Sequence, residues 1–334
     1  QRIKLNVGTG SGESWNDGDV IDPSAGDWVH IVITIANDKN TIYFNGVEVR
    51  SSDMSAPIDW TGVGDFSIGS GVPSFEYWNH KSDSSPMDEL RFFDKALSAT
   101  EVQDVYGGGY VPAAGETFYM PFNGSNAEVI SGTMATVEGT PGFAGEGKLG
   151  GNAYAGAADS YLTFPTDGLL GTEFSATFWY KLNADPDRAG ILVVGPPDTE
   201  NAGYPDVQNK RTSGFRFFRE SANGGQTFKL NAGNGTADSW FDGGATATLD
   251  PATDTDWVHI AFTISGSECV IYFNGEVVSQ GSFTGIDWSG CDILSIMSGA
   301  PRFTEWNHFS DNSYLDELHL YNKALTQAEI QAML

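Results

Sequence analysis

Positive charge is scarce in this chain. Lys and Arg number 17 against 44 Asp and Glu, leaving a formal net charge of −27 over 334 residues. Phosphate binding depends on Lys and Arg, so the balance argues against nucleic acid and against an anionic membrane surface. Long apolar runs are also missing. No stretch approaches the ~20 residues of a membrane span, and no secretory signal peptide is visible. The chain opens inside a repeat, so that last absence carries no message about export. Pro is sparse at 14 residues, whereas Gly reaches 41, which suits many turns between short strands. Cys is nearly absent. Cys269 and Cys291 both fall in the second copy of the repeat, opposite Asn40 and about Val63 in the first. A pair that arrives together suggests a disulfide, which would contribute about 3 kcal/mol in the chain-entropy model. It would also indicate an oxidising, extracytoplasmic location; buried free thiols are the alternative. No Ser-His-Asp arrangement and no zinc-ligand spacing stands out.

What is present is an internal repeat. Residues 314–330 read YLDELHLYNKALTQAEI, a strand running into a short helix. Thr326 with Glu329 three residues on is a capping box, in which side-chain oxygens satisfy the free amides of the first helical turn. Residues 86–102, PMDELRFFDKALSATEV, repeat the pattern, with Ser98 and Glu101 as the box. Further upstream, QRIKLNVGTGSGESW from Gln1 matches QTFKLNAGNGTADSW from Gln226, so Lys4 aligns with Lys229, Asn6 with Asn231 and Trp15 with Trp240. DWVHI recurs at Asp27 and Asp256, IYFNG at Ile42 and Ile271, and Asp59-Trp60 parallels Asp287-Trp288. Trp78-Asn79-His80 parallels Trp306-Asn307-His308.

Residues 106–116 read as a Gly- and Pro-bearing linker. Residues 117–225 have no partner upstream. The reading is therefore one complete domain at 113–334, preceded at 1–112 by the rear half of another whose front half lies upstream. A repeat of about 225 residues suits a β-sandwich rather than a solenoid unit. Phe174, Ala176, Phe178, Tyr180 and Leu182 share one parity, as do Val258, Ile260, Phe262 and Ile264, and each Asn-Gly marks a two-residue hairpin. These signals predict an all-β, antiparallel jelly-roll sandwich of about a dozen strands per complete copy, with helices only after Ser98 and Thr326.

Trp-Val-His-Ile opening a strand, the Ile-Tyr-Phe-Asn-Gly hairpin and the Asp-Glu-Leu-His-Leu-Tyr-Asn-Lys-Ala-Leu closing unit together resemble the laminin-G-like, concanavalin-A-like jelly-roll domains. The tandem arrangement and acidic surface are also similar to modules of Bacteroidota surface glycan-binding proteins. That resemblance implies an extracellular or outer-membrane location, a polysaccharide ligand and partners among the surface proteins of an uptake complex. It further implies a structural Ca²⁺ near the closing and first strands, with Asp316 as ligand, Asp88 its counterpart, and Asn123 or Glu128 completing the shell. A buried Asp bonded to backbone amides is the alternative reading of Asp316.

Glycoside hydrolases on this fold carry paired carboxylates, commonly Glu-x-Asp-x-x-Glu on one strand, and no such run occurs here. Asp316 and Glu317 are adjacent, so regular strand alternation points them to opposite faces. Catalysis is therefore not expected. Trp257 and Trp28 begin strands with core periodicity and are read as packing, as are His259 and His30. Trp306, Asn307 and His308, with Trp78, Asn79 and His80, lie in loops, where an indole face suits a sugar ring and Asn and His supply hydrogen bonds. Tryptophans plugging the end of the sandwich are the alternative. Trp240 beside Asp238, Trp15 beside Glu13, then Trp288 and Trp60 are further candidates. Arg216 and Arg219 would clamp an anionic sugar, unless they are ordinary strand arginines. The expected function is non-catalytic carbohydrate binding; the rival is an adhesin or spacer module.

Half a sandwich leaves strand edges and an apolar face open. Residues 1–112 expressed alone are therefore expected to give no cooperative thermal transition. A sharp, monomeric melt would contradict the half-domain reading.

Overall fold

Alternating apolar side chains in the long strands set the architecture, because each strand must bury one face. The computed structural model describes residues 1–334 apart from Pro23, Ala25, Glu146 and residues 184–186. It divides into two compact units, Gln1–Ala114 and Gly115–Leu334.

The first unit holds β1 (Leu5–Gly8), β2 (Glu13–Asn16), β3 (Ile31–Ile35), β4 (Lys39–Phe44), β5 (Val47–Asp53) and α1 (Ala99–Tyr106). β1 pairs with β2, and β3, β4 and β5 form a second antiparallel sheet. A small core gathers Tyr43, Leu97, Val102 and Val111. Val111 shows that the segment expected as a linker packs into this unit. Residues 65–68 and 86–93 align with two strands of the second unit but form none here. Phe66, Ile68, Leu90 and Phe92 are exposed along them. In the second unit the matching strands are held by neighbours from residues 115–195, which have no counterpart within residues 1–114.

The second unit contains β6 (Glu116–Met120), β7 (Thr136–Glu138), β8 (Gly142–Ala144), β9 (Ala153–Ala155), β10 (Tyr161–Pro165), β11 (Phe174–Lys181) and β12 (Arg188–Gly195). Next come β13 (Phe215–Ala222), β14 (Gly225–Gly233), β15 (Asp238–Asp242), β16 (Thr248–Leu249), β17 (Val258–Ile264) and β18 (Glu268–Phe273). β19 (Glu276–Ser282), β20 (Ile293–Ile296), β21 (Tyr314–Tyr321) and α2 (Gln327–Gln331) complete it. Two eight-stranded antiparallel sheets result, more strands than the sequence suggested. One runs β15-β14-β13-β12-β20-β10-β7 with β16 beside β14. The other runs β19-β18-β17-β11-β21-β9-β8 with β6 beside β21.

The predicted parities hold. Phe174, Ala176, Phe178 and Tyr180 of β11 and Ile260, Phe262 and Ile264 of β17 meet Phe215, Phe217, Phe228 and Leu230 from the facing sheet in one core. Phe217 and Phe262 stack across it at 4.9 Å, adding about 0.5–1.5 kcal/mol to the burial of each ring. Both capping boxes form. Both Asn-Gly hairpins take positive φ, at Asn45 and Gly46 and at Asn274 and Gly275. The strand that opens the closing unit of the repeat, β21, lies between β11 and β6.

Several expectations are corrected. Cys269 and Cys291 are free. Cys269 is buried on β18 in one sheet, while Cys291 precedes β20 of the other, so the sandwich separates them. Burial pushes both thiols up, Cys291 to about 12, which leaves them unreactive at neutral pH. Asp316 and Glu317 do not follow simple alternation. β21 shifts register opposite Thr177 and Trp179, and Glu317 takes a φ of 50°. Leu315 and Leu318 both face the core, so the bulge sets Asp316 and Glu317 together between them, away from the interior. Trp257 is half-buried, and Trp28 is 67% exposed.

Arg219 faces the core with Phe215 and Phe217 rather than solvent. Its Nε and Nη2 donate to Asp311 Oδ2 and Oδ1, each at 2.9 Å, and Tyr180 Oη donates to Asp311 Oδ2 at 2.6 Å. Arg219 and Asp311 are both fully buried. Removing one partner strands a buried charge. Asp311→Ala should therefore lower unfolding free energy by roughly 3–5 kcal/mol. Urea denaturation followed by circular dichroism measures it, and a loss under 1 kcal/mol would show that the pair is not a structural clamp.

Candidate functional site

The outer face of the β13-β14-β15 corner follows from the core parity. Phe217 and Phe241 point inward, so Phe218 and Glu220 on β13, Lys229 and Asn231 on β14, and Asp238, Trp240 and Asp242 on β15 point outward. The register sets Phe218 beside Lys229 and Lys229 beside Asp242, with Asn231 beside Trp240.

Trp306 reaches this face from the loop between β20 and β21. The loop is tied by a Ser298–Ser310 bridge, by Gly299 N to His308 O at 2.9 Å, and by Gln208 N to Thr304 Oγ1 at 3.0 Å. The turn at its tip needs a left-handed residue. Asn307 fills that position at φ 61°, and Asn79 does so at 60° in the first unit; Asn tolerates this region better than other non-glycine residues. Trp240 and Trp306 then stack with centroids 5.8 Å apart and planes 30° apart, 43% and 37% exposed. Arg211 lies 4.6 Å from the Trp306 ring and 5.7 Å from that of Trp240. Its Nε donates to Asp238 Oδ2 at 3.0 Å, an oxygen that also accepts from Asn231 Nδ2 at 2.8 Å. Burial raises the Asp238 pKa, but these two donors outweigh it and hold the carboxyl below its usual range.

Below the indoles, Phe218, Glu220, Lys229 and Asp242 floor a groove of about 350 Å³. Lys229 Nζ meets Glu220 Oε1 at 2.7 Å and Asp242 Oδ2 at 2.9 Å. Burial pushes Asp242 up, and the bonds from Lys229 and the Gly244 amide bring it below the ordinary value. The first unit repeats the pieces. Trp15 and Trp78 lie 5.8 Å apart at 43°, Lys4 pairs with Asp17 at 2.9 Å, and Asn6 donates to Glu13 at 3.1 Å.

A family model described as the concanavalin A-like lectin/glucanases superfamily matches residues 1–103 and 155–331. The chain belongs to this superfamily. No curated protein matches it. Similar solved structures include domain 4 of AbnA, a GH43 extracellular arabinanase from Geobacillus stearothermophilus, in complex with arabinotriose. It is 18% identical, with 65% of this chain and 97% of that chain covered and a TM-score of 0.48. The binding domain of botulinum neurotoxin DC, in complex with rat synaptotagmin II, is 13% identical over 66% of this chain and 51% of that one, at a TM-score of 0.46. The same domain in complex with SialylT is 14% identical over 66% and 50%, at 0.44. The chain spans about half the length of the neurotoxin structures.

In this concanavalin A-like chain the predicted residues part company. Trp240 and Trp306 meet, as do Trp15 and Trp78. His308 lies beneath the groove, 1% exposed, stacked on Phe303 at 4.6 Å and edge-on to Phe218 at 4.5 Å. Burial lowers its pKa to about 4, against the pull of Glu220. It is a packing residue, not a hydrogen-bonding ligand contact. His80 stacks on Phe75 at 4.9 Å in the same way but stays exposed. Trp288 is a plug: it packs on the core, and its Nε1 donates to Gly171 O at 2.7 Å. Trp60, its counterpart, is 66% exposed. Arg216 is buried too, donating to the Ser213 and Lys210 carbonyls, so neither it nor Arg219 is available as a clamp. Arg211, Glu220, Lys229 and Asp242 were missed. Lys229 and Asp242 could have been found, because Lys4 and Asp17 repeat them.

The metal candidates divide similarly. Asp316 is fully buried. Its Oδ2 accepts from Lys148 N at 2.6 Å, and its Oδ1 has no hydrogen-bond partner. Burial, then the charge of Glu317, pushes its pKa to about 6. Asn123 Oδ1 accepts from Asn152 N at 2.9 Å, so both side chains hold the same 147–152 loop. A Cβ on Gly147 would come within 2.7 Å of Asp316 Oδ2, and one on Gly151 within 1.7 Å of Asn123 Oδ1. Glu128 does not join them: its oxygens accept from Ile130 N, Ser131 N and Ser131 Oγ and close their own turn. Asp88 lies on an exposed segment outside any strand, accepting from the Glu89 amide. Among the described residues no group of three or more His, Cys, Asp or Glu is placed for a metal. Among them, too, no helix is long and apolar enough to cross a membrane.

Proposed function

We propose that this chain binds a polysaccharide without cleaving it, outside the cell where such polymers are met. The observation that carries the reading is the Trp240–Trp306 pair over a polar floor, matched by Trp15–Trp78. Indole faces suit the C–H faces of sugar rings, and ionised carboxylates accept hydroxyl hydrogens. Two linked sites of modest affinity gain from avidity on a polymer. Two features favour binding over hydrolysis. Lys229 ties Glu220 and Asp242 to one ammonium, and its bond holds Asp242 below the ordinary value, the opposite of the raised pKa that a general acid needs. Asp316, beside Glu317, is fully buried under the 147–152 loop, away from any substrate.

Trp306→Ala removes one stacking face without opening the core. Affinity-gel retardation on a polysaccharide that the parent binds should weaken about tenfold, the size of one lost aromatic contact, with the melting temperature unchanged. Full retention would move the site elsewhere. A collapsed melt would make Trp306 a structural plug and favour the adhesin or spacer reading.

We also propose a structural Ca²⁺ at Asp316. The buried, unpartnered Oδ1 and the carbonyl-rich loop beside Asn123 fit a hard cation. Bound there, the ion would neutralise a carboxylate that burial otherwise disfavours. Exhaustive chelation should lower the melting temperature and added Ca²⁺ restore it, while Asp316→Asn should remove the response. An unchanged melt with no calcium by elemental analysis would dismiss the ion.

A further inference from the structure

We infer that the Trp240–Trp306 groove selects uncharged, hydroxyl-rich glycans and rejects acidic ones, whether uronate-bearing or sulfated. This rests on the glycan-binding reading and gives it a ligand class. The charges of the groove are already matched to one another. Lys229 spans Glu220 and Asp242, and Arg211 is bonded to Asp238. Two cations face three carboxylates, which leaves the constellation one negative charge in excess. Asp242 Oδ1 also accepts from the Gly244 amide at 2.8 Å. Glu305, next to Trp306 in the chain, adds a further carboxylate, which accepts from Asn209 Nδ2 at 2.6 Å.

Arg188, which donates to the Trp306 carbonyl at 3.3 Å, has Asp187 3.9 Å from its Nε, so each cation named here already has a carboxylate beside it. The two arginines that the sequence offered as a clamp for an anionic sugar, Arg216 and Arg219, are fully buried. His308 supplies none either, because burial keeps the imidazole neutral at ordinary pH. A uronate or sulfate drawn to Lys229 or Arg211 would have to displace Glu220, Asp242 or Asp238. That would leave a carboxylate uncompensated beside the incoming charge, a repulsive element that sets specificity. A neutral sugar meets no such penalty. Its hydroxyls donate to the lone pairs left on Glu220 and Asp242, and its ring covers the indoles. Most of the surface works in the same direction, since the chain carries −27 overall.

The test uses the full chain and paired polymers. A neutral polysaccharide that retards the protein is oxidised at its primary hydroxyls to uronates, and affinity electrophoresis is run on both forms at low and high salt. The oxidised form should bind about tenfold more weakly at low salt, the gap narrowing as salt screens the repulsion. The double variant Glu220→Gln, Asp242→Asn, with its fold checked by melting, should recover most of the lost binding. Equal or tighter binding of the oxidised form, or retention by acidic polymers alone, would overturn the charge inference while leaving glycan binding intact, provided Trp306→Ala still weakens it. Retardation by no polymer, or retardation indifferent to Trp306→Ala, would overturn the glycan reading and this inference together.

Discussion

The buried pair of Arg219 and Asp311 is the contact on which the second unit turns. Arg219 comes from β13 of one sheet, and Tyr180, which shares Asp311 with it, from β11 of the other. Asp311 itself belongs to the loop that carries Trp306. One desolvated carboxylate therefore joins both sheets and anchors the aromatic loop. Such a pair contributes less to net stability than its Coulomb energy suggests, because both ions lose their water. Its contribution is to geometry, since Asp311 takes two bonds of a guanidinium that also reaches Tyr180, Gln226 and Asn183 inside the sandwich.

The groove inherits its position from that arrangement. β13, β14 and β15 present one outward face because their aromatic residues at alternate positions are drawn into the core. Trp240 is fixed by the strand, Trp306 by the loop, and Arg211 by Asp238 and Asn231. The polar floor is fixed as well, with Lys229 held between two carboxylates. A site on a strand face with its charges already matched is rigid, and rigidity lowers the ordering cost of a ligand.

The sequence revealed the fold through its parities and its repeat, because strand alternation, Asn-Gly turns and capping boxes are local signals. It revealed the aromatic pair through the recurrence of Trp-Asn-His, though for mixed reasons. Asn307 recurs because the turn needs a left-handed residue, and His308 because its ring packs on Phe303; only Trp306 offers an aromatic face at the surface. Arg211 could not be read, since the segment that carries it has no copy in residues 1–114. Arg216 and Arg219 were misplaced because a charged residue on a strand is ordinarily exposed. The bulge at Asp316 and Glu317 was hidden by an apolar rhythm that looks regular. The cysteines misled for a simpler reason: appearing together in one copy says nothing about which sheet each occupies.

The manner in which the Trp306 loop is fastened has a dynamic consequence. Its amides at Thr304, Asn307 and Asp311 donate to Gln208, Thr304 and Met297 carbonyls, and Asp311 is locked to the opposite sheet. The Asp311 end of the loop resists fraying by itself, because releasing it would take a carboxylate from the guanidinium of Arg219 within the sandwich. Hydrogen exchange at the Asp311 amide would then wait for that clamp to open, so this end of a surface loop would exchange on the slow schedule of a core strand.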